Sequence, residues 1–130
     1  ILISPFLYVE ETAPERIKRG TIYKSIWGTN PKDWEKASVS PHMDGNNENF
    51  ISIMAENDAV WRKEQNKRFI NKLKEKQTAD YIEIPNRDHS SLISKILEKD
   101  DQVSKTIIEF VRKNWLIKVF QSSSWQITDK

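Results

Sequence analysis

Residues 50–89 decide the fold, with the sequence FISIMAENDAVWRKEQNKRFINKLKEKQTADYIEIPNRDH. The apolar run Phe50–Met54 is typical of a buried strand. In Trp61–Lys76 the apolar side chains recur on one helical face, with lysine and arginine on the other. A second strand is predicted at Tyr81–Ile84, ended by Pro85. The order strand, helix, strand predicts two parallel strands joined by a right-handed crossover.

The segment before this stretch adds a third strand and an irregular region. Ile1–Ile3 is a short apolar run that predicts the end of another buried strand. Residues 6–42 form an aromatic segment of short helical pieces, one of which we expect to break at Pro14. A polar loop, Ser40–Asn47, then leads into the strand at Phe50.

Helices are predicted after the second strand. A short one is expected at Leu92–Leu97, and Asp100 or Asp101 can cap a final helix. That helix has one apolar face, formed by Val103, Ile107, Phe110 and Val111. Residues 121–130 are expected to form a loosely ordered polar tail. The sequence therefore predicts the α/β class, with about three parallel strands and flanking helices.

Composition limits the chemistry that the chain can carry. Its 130 residues suit one domain, and the lack of cysteine excludes disulfides and thiolate metal sites. Only three glycines occur, which excludes Gly-rich phosphate loops. A net charge of +2 gives no reason to expect a nucleic-acid partner, and no apolar run is long enough to span a membrane. We therefore expect a soluble chain with no metal and no cofactor; its location stays open, with the cytoplasm favoured.

Two side chains of complementary chemistry follow the two central strands. Asp58 comes shortly after the first strand and His89 shortly after the second, and the carboxyl ends of parallel strands meet at one edge. A carboxylate bonded to one imidazole nitrogen leaves the other free to take a proton from a serine hydroxyl. Asp88 is the competing carboxylate, but we expect its side chain to point away from its neighbour's ring. Together Asp58 and His89 predict the acid and base of a catalytic triad.

The residues around this pair resemble a known family. Phe50–Asp58 and Tyr81–Ser91 resemble the last strands of an α/β-hydrolase of the esterase/lipase type. The histidine follows the acid by 31 residues, an order and spacing that suit this fold. Ile1–Ser4 resembles the end of the preceding strand, and residues 6–42 resemble the cap segment of these esterases.

The resemblance implies that residues 1–120 are the C-terminal part of such a domain, with the acid and histidine strands in residues 50–115. No serine lies in a Gly-x-Ser-x-Gly motif, and no His-Gly-Gly motif occurs. The nucleophile and the oxyanion hole are therefore expected in an N-terminal half, in the same chain or a companion chain. The complete enzyme is expected to be a serine carboxylester hydrolase acting on a small-molecule ester, while these residues alone are not expected to be active.

Aromatic side chains of the cap-like segment are candidates for the substrate pocket: Phe6, Tyr8, Trp27 and Trp34. Packing within the cap explains them equally well. His42 has no second histidine or cysteine nearby, so we give it a structural role. The basic side chains of Arg62–Lys76 are interpreted as a solvated helix face rather than a nucleic-acid or membrane surface.

The alternative function is a non-catalytic interaction module that keeps the hydrolase scaffold. Without a preceding strand, the sheet edge at Ile1–Ile3 is open, so self-association through that edge is expected. The apolar run Trp115–Phe120 either covers the sheet or packs on a partner.

Overall fold

The computed structural model describes residues 1–43 and 48–123. In chain order, the elements are β1 (Leu2–Ile3), α1 (Val9–Arg19), α2 (Thr21–Trp27), α3 (Pro31–Ala37), a 3₁₀ turn (Ser40–His42), β2 (Phe50–Ala55), α4 (Val60–Lys74), β3 (Ala79–Ile84), α5 (Ser91–Ser94) and α6 (Gln102–Ser123). The described residues therefore form an α/β structure, as the sequence predicts.

The three strands form one parallel sheet in the order β1-β2-β3. Leu2 is opposite Ser52, and the β2–β3 register runs from Phe50 opposite Ala79 to Ala55 opposite Ile84. All three strands therefore end at the same edge of the sheet, and the loops that follow them are neighbours. The predicted arrangement of about three parallel strands with flanking helices is confirmed.

Helices cover both faces of the sheet, because alternate residues of β2 point to opposite sides. On one face, α4 packs over a buried cluster formed by Leu7, Tyr8, Phe69, Ile70, Leu73 and Ala79. On the other face, α5 and α6 pack over a second cluster formed by Ile51, Ile53, Ala55, Ile84, Leu92 and Val103. The sheet is thus the middle layer of three, which explains why β2 is almost wholly apolar.

Of the two predicted caps of α6, the structure uses Asp101. Its Oδ2 accepts a hydrogen bond of 2.7 Å from the backbone N–H of Ser104, as an N-cap requires. Asp100 instead has a left-handed φ of 66° and pairs with Lys105 at 3.0 Å on the surface. The chain thus turns at Asp100 and begins the helix immediately after Asp101.

Helix α1 differs from the sequence-based expectation, because it continues through Pro14 without a break. A proline in a helix removes one backbone hydrogen bond, a cost of about 3 kcal/mol. The helix nevertheless buries Val9, Thr12 and Ala13, and the Val9 N–H donates to Ser38 Oγ at 2.7 Å. Packing and this hydrogen bond at the helix start outweigh the lost one, so the prediction of a break at Pro14 is wrong.

Helix α6 is longer than the apolar pattern indicated. It reaches Ser123, so residues 121–123 of the predicted tail are helical and Trp115–Phe120 lies within the helix rather than beyond it. Residues 124–130 of that tail, and residues 44–47 of the predicted polar loop, lie outside the described residues. Among the helices that the structure describes, none combines the length and apolarity needed to cross a bilayer.

Candidate functional site

Three side chains from three different loops meet at the carboxyl edge of the sheet. Ser4 follows β1, Asp58 lies in the turn between β2 and α4, and His89 lies in the loop between β3 and α5. The parallel topology accounts for their meeting, because each loop leaves its strand at the same edge. The structure thus brings together the two residues that the sequence predicted, Asp58 and His89, and adds a third.

The three side chains contact one another directly. Asp58 Oδ2 accepts a hydrogen bond of 2.5 Å from Ser4 Oγ and lies 3.2 Å from His89 Nδ1. Ser4 Oγ lies 2.8 Å from the same nitrogen. Ser4 is 5% exposed and Asp58 is 9% exposed, whereas the side chain of His89 is 50% exposed. The site therefore has a buried acidic side and a ring that opens outward.

The hydrogen-bond pattern fixes the role of each atom. The single hydroxyl hydrogen of Ser4 is directed to Asp58, so Ser4 Oγ and Asp58 Oδ2 both act as acceptors toward His89 Nδ1. The consistent tautomer carries its proton on Nδ1, which leaves Nε2 as the basic nitrogen. In a serine triad the nucleophile contacts Nε2. Ser4 lies on the other side of the ring, so its geometry is that of a positioning residue rather than a nucleophile.

The environment of Asp58 favours its ionised form. Burial acts to raise its pKa, but hydrogen bonds from Ser4, the Ala59 N–H and His89, and the positive charge of Arg62, lower it by more. The Ala59 N–H donates to Asp58 Oδ1 at 2.9 Å, and Arg62 Nε lies 3.5 Å from that oxygen. As a result the pKa of Asp58 lies below its ordinary value, and the group is a carboxylate at neutral pH.

Arg62 connects the acid to the backbone of the serine loop. It is 5% exposed, and its Nη1 donates to the carbonyl oxygen of Ser4 at 3.0 Å. Its guanidinium carbon lies 4.3 Å from the centre of the Phe6 ring and 4.9 Å from that of Trp61. Burial lowers the pKa of Arg62, while the charge of Asp58 acts to raise it. This arginine thus holds the Ser4 and Asp58 loops together. It lies against the rings of Phe6 and Trp61, which are part of an aromatic wall.

Three of the four predicted substrate-pocket residues belong to this wall or are bonded to it. The Phe6 ring lies edge-on to Trp27 at 5.4 Å and tilted to Trp61 at 5.8 Å, and Tyr23 stacks on Trp27 at 5.6 Å. Trp34 joins through its Nε1–H, which donates to the carbonyl oxygen of Trp27 at 3.0 Å.

The fourth predicted pocket residue, Tyr8, lies elsewhere. It is 8% exposed in the core cluster beneath α4, where the guanidinium carbon of Arg68 lies 4.0 Å from its ring centre. The remaining candidate side chains make local contacts. Asp88 Oδ1 accepts from the Ser91 N–H at 2.8 Å, and His42 Nε2 donates to the carbonyl oxygen of Lys36 at 2.9 Å. Neither takes part in the Asp58 cluster.

Sequence reasoning missed two members of the site, Ser4 and Arg62. Ser4 could have been found from its position, because it directly follows a strand that ends at the same edge as the strands before Asp58 and His89. Arg62 lies one helical turn after Asp58, a spacing that allows an ion pair on the same helix face. Its burial could not be seen in the sequence, where it is one of many basic residues of the helix.

Neither the possible metal ligands nor comparisons with known proteins indicate a function. In the part of the chain that the structure describes, no three histidine, aspartate or glutamate side chains are grouped so that they could hold a metal ion. No protein-family model, curated protein or solved structure matches the chain. The assignment of function therefore depends on the arrangement of Ser4, Asp58, Arg62 and His89.

Proposed function

We propose that Asp58 and His89 are the acid and base of a serine hydrolase triad that cleaves small-molecule carboxylic esters. One observation carries this proposal: a buried carboxylate lies 3.2 Å from Nδ1 of a half-exposed imidazole, and the two groups come from the ends of adjacent parallel strands. This arrangement orients the ring and stabilises its protonated form while Nε2 stays available.

In the proposed reaction the attacking serine transfers its proton to His89 Nε2 as its oxygen bonds to the acyl carbon. Asp58 stabilises the resulting imidazolium through Nδ1–H, and the ring then gives the proton to the departing alcohol. Water repeats these steps to release the carboxylate and restore the serine. Ser4 and Arg62 keep Asp58 ionised and in place; neither contacts the reacting atoms.

The nucleophile is proposed to come from a segment outside these 130 residues. None of the serines of the chain lies in Gly-x-Ser-x-Gly. In the described part of the chain β1 pairs with β2 alone, and Ser4 lies at the end of β1. A further parallel strand beside β1 would end next to this site. We therefore propose that the chain is the C-terminal part of an α/β-hydrolase domain, with residues 6–42 as its cap.

In this proposal the acyl or alcohol part of the ester is bound on the aromatic wall. Phe6 contacts Arg62, which is paired with Asp58, and Trp27 packs against Phe6. Trp34 is hydrogen-bonded to Trp27. Tyr8 is buried in the core, so its contribution is to packing beneath this region. Apolar walls of this kind suit a small uncharged ester.

Replacing Asp58 by asparagine, in the protein that carries the nucleophile, tests the proposal. We expect turnover of an aryl ester to fall by about 10⁴-fold, because the wrong histidine tautomer is held; this magnitude is measured for another serine hydrolase. The matched control is Asp88→Asn, since Asp88 is an exposed neighbouring carboxylate that binds Ser91 rather than His89. It should hydrolyse the ester at the wild-type rate.

Near wild-type turnover by Asp58→Asn would refute the triad assignment. A fluorophosphonate, which labels activated serines covalently, provides a second readout. We expect one labelled serine in the complete protein, and its labelling should be lost in the His89→Gln variant. Labelling of Ser4 itself would show that the geometry described for this residue is not the reactive one.

The second candidate function is an interaction module without catalysis. Among the described residues β1 has one unpaired edge, beside Ile1, which is 46% exposed, and the sequence has no nucleophile motif; these observations favour the alternative. Under this alternative the complete protein would contain no serine that reacts with the fluorophosphonate. The protein would then self-associate in a concentration-dependent manner. The variant Ile3→Lys, which places a charge in β1, should abolish that association.

A further inference from the structure

A groove with a volume of about 480 Å³ lies between α1 and α4, outside the Asp58–His89 site. The side chains that matter for its chemistry are Arg16 and Arg19 from α1 and Trp61, Glu64 and Arg68 from α4. Its size is within the range of small-molecule sites, which usually combine an apolar wall with a few polar groups. Trp61 supplies such a wall.

Most acidic groups along this groove already have cationic or amide partners. Glu11 is paired with Arg68 at 2.5 Å and accepts a hydrogen bond from Gln65 at 3.0 Å. Glu15 is paired with Lys18 at 2.8 Å. Glu64 is the other carboxylate of the lining, and it is exposed. With Lys18 counted beside the lining residues, four cationic side chains lie along the groove against three carboxylates, an excess of one positive charge.

Arg16 is partly buried and lacks an anionic partner among the described residues. Its guanidinium carbon lies 5.8, 5.3 and 5.6 Å from the ring centres of Phe6, Tyr23 and Trp61, and Nη1 donates to the Tyr23 hydroxyl at 3.0 Å. Arg62 contacts two of these rings but is paired with Asp58. Arg16 therefore keeps several N–H donors and a full charge for another anion.

We propose that this groove binds a small aromatic monocarboxylate, with its carboxylate on Arg16 and its ring against Trp61. The planar guanidinium matches the two oxygens of a carboxylate, and rings already surround it. One carboxylate balances the excess of a single positive charge, whereas a phosphate dianion would leave the groove with a net negative charge. The groove shares Trp61 with the aromatic wall, but its proposed ligand does not depend on the proposed hydrolase activity.

Titration with 4-fluorobenzoate and with its uncharged analogue 4-fluorobenzamide, followed by ¹⁹F NMR, tests this site. We expect the purified wild-type protein to bind the carboxylate about tenfold more tightly, which corresponds to one charge-assisted hydrogen-bonded contact. Arg16→Gln should remove that preference. The matched control is Arg112→Gln on α6, which removes the same charge from a residue outside the groove lining and should keep the preference.

Several results would overturn the site. They are no saturable binding of the carboxylate by the wild type, equal affinity for the carboxylate and the amide, an unchanged preference in Arg16→Gln, or an equal loss in Arg112→Gln. Circular dichroism checks that Arg16→Gln is folded. If it is not, salt titration of the wild type decides, because binding through Arg16 requires the preference to weaken as ionic strength rises.

Discussion

Asp58 and Asp101 are two buried carboxylates that look alike by most physical measures. Their side chains are 3% and 0% exposed. Each accepts a backbone hydrogen bond at the start of a helix, from Ala59 and Ser104, and each lies within reach of an arginine. In both, burial acts to raise the pKa, but the surrounding hydrogen-bond donors and the arginine charge lower it by more, so that each carboxyl is ionised at neutral pH.

The two carboxylates differ in the side chains that contact their oxygens. Asp101 has Ser104 N–H on Oδ2 and Arg87, 14% exposed and permanently charged, at 2.8 Å from Oδ1. Asp58 directs Oδ2 toward Ser4 and toward the imidazole of His89, whose side chain is 50% exposed. Burial and a lowered pKa therefore do not distinguish a structural carboxylate from one that we propose to be functional. The identity of the partner, and whether that partner reaches solvent, does.

Exchanging the partner of Asp58 should give the largest effect. In the protein that carries the nucleophile, His89→Gln is expected to lower ester turnover by at least about 10⁴-fold, because no base remains. The free energy of unfolding should change by less than about 1 kcal/mol, because the side chain of His89 is half exposed. Turnover assays and urea titration measure the two quantities. A large loss of stability would place His89 with Arg87 as a structural partner.

Exchanging the partner of Asp101 should give the opposite result. Arg87→Gln leaves a buried carboxylate without its charged partner, so we expect the free energy of unfolding to fall by about 3 kcal/mol. Turnover per folded molecule should stay the same. Arg112→Gln, an exposed change of the same kind, should shift stability by less than about 0.5 kcal/mol. Equal effects of the two changes in urea titration would contradict a structural role for Asp101.

Removing the hydroxyl of Ser4 should give an intermediate effect on both properties. Ser4→Ala removes a hydrogen bond to a buried carboxylate, which we expect to cost about 2 kcal/mol in the free energy of unfolding. Turnover should fall by about tenfold, since in the proposed mechanism Ser4 positions Asp58 and His89 without contacting the substrate. The exposed Ser94→Ala is the control and should change neither. Complete loss of activity in folded Ser4→Ala would assign Ser4 a catalytic role.

The smallest expected effect is on the pH dependence of the free energy of unfolding, to which Asp58 and Asp101 both contribute. Because the folded pKa values of Asp58 and Asp101 lie below 3.8, the unfolded chain takes up protons first as the pH falls. Their stabilising contribution is therefore present above that value and lost as the pH drops through the folded pKa values.

Glu83 acts in the same direction. Hydrogen bonds from Lys67, Tyr81 and Lys63 outweigh burial and lower its pKa from 4.5 to about 2. Urea titrations between about pH 6 and pH 2 should show stability falling throughout the acid range. The Asp58→Asn/Asp101→Asn variant should show a weaker pH dependence than the wild type. An unchanged slope would mean that neither carboxylate contributes.

Local patterns were sufficient to predict the sheet and the Asp58–His89 pair. The apolar runs of β2 and β3 are typical of buried strands, and the apolar face of α4 is typical of a helix. Parallel topology then brings the two following loops together, and the contact of 3.2 Å agrees with that expectation. Asp101 as the helix cap was likewise one of two residues that the sequence allowed.

The rest depends on tertiary packing that no local pattern encodes. In the sequence Arg62 is one of several basic residues typical of a solvated helix face. It is nevertheless buried, because the start of α4 packs against the Ser4 loop and the Phe6 ring. Pro14 is a helix breaker by propensity, but α1 is held by residues that it packs against. The end of α6 was misjudged because its last turns lack a strict apolar period.

The contact between Ser4 and His89 also has a consequence for folding kinetics. It joins residues 85 positions apart, and the Asp58–His89 contact joins residues 31 positions apart. Contacts of such long sequence separation form slowly, and parallel strands cannot be paired by a local turn. The ring of His89 therefore reaches its final surroundings only when all three strands have docked. Its NMR signal should reappear with the last phase of refolding, later than the helical signal of α4.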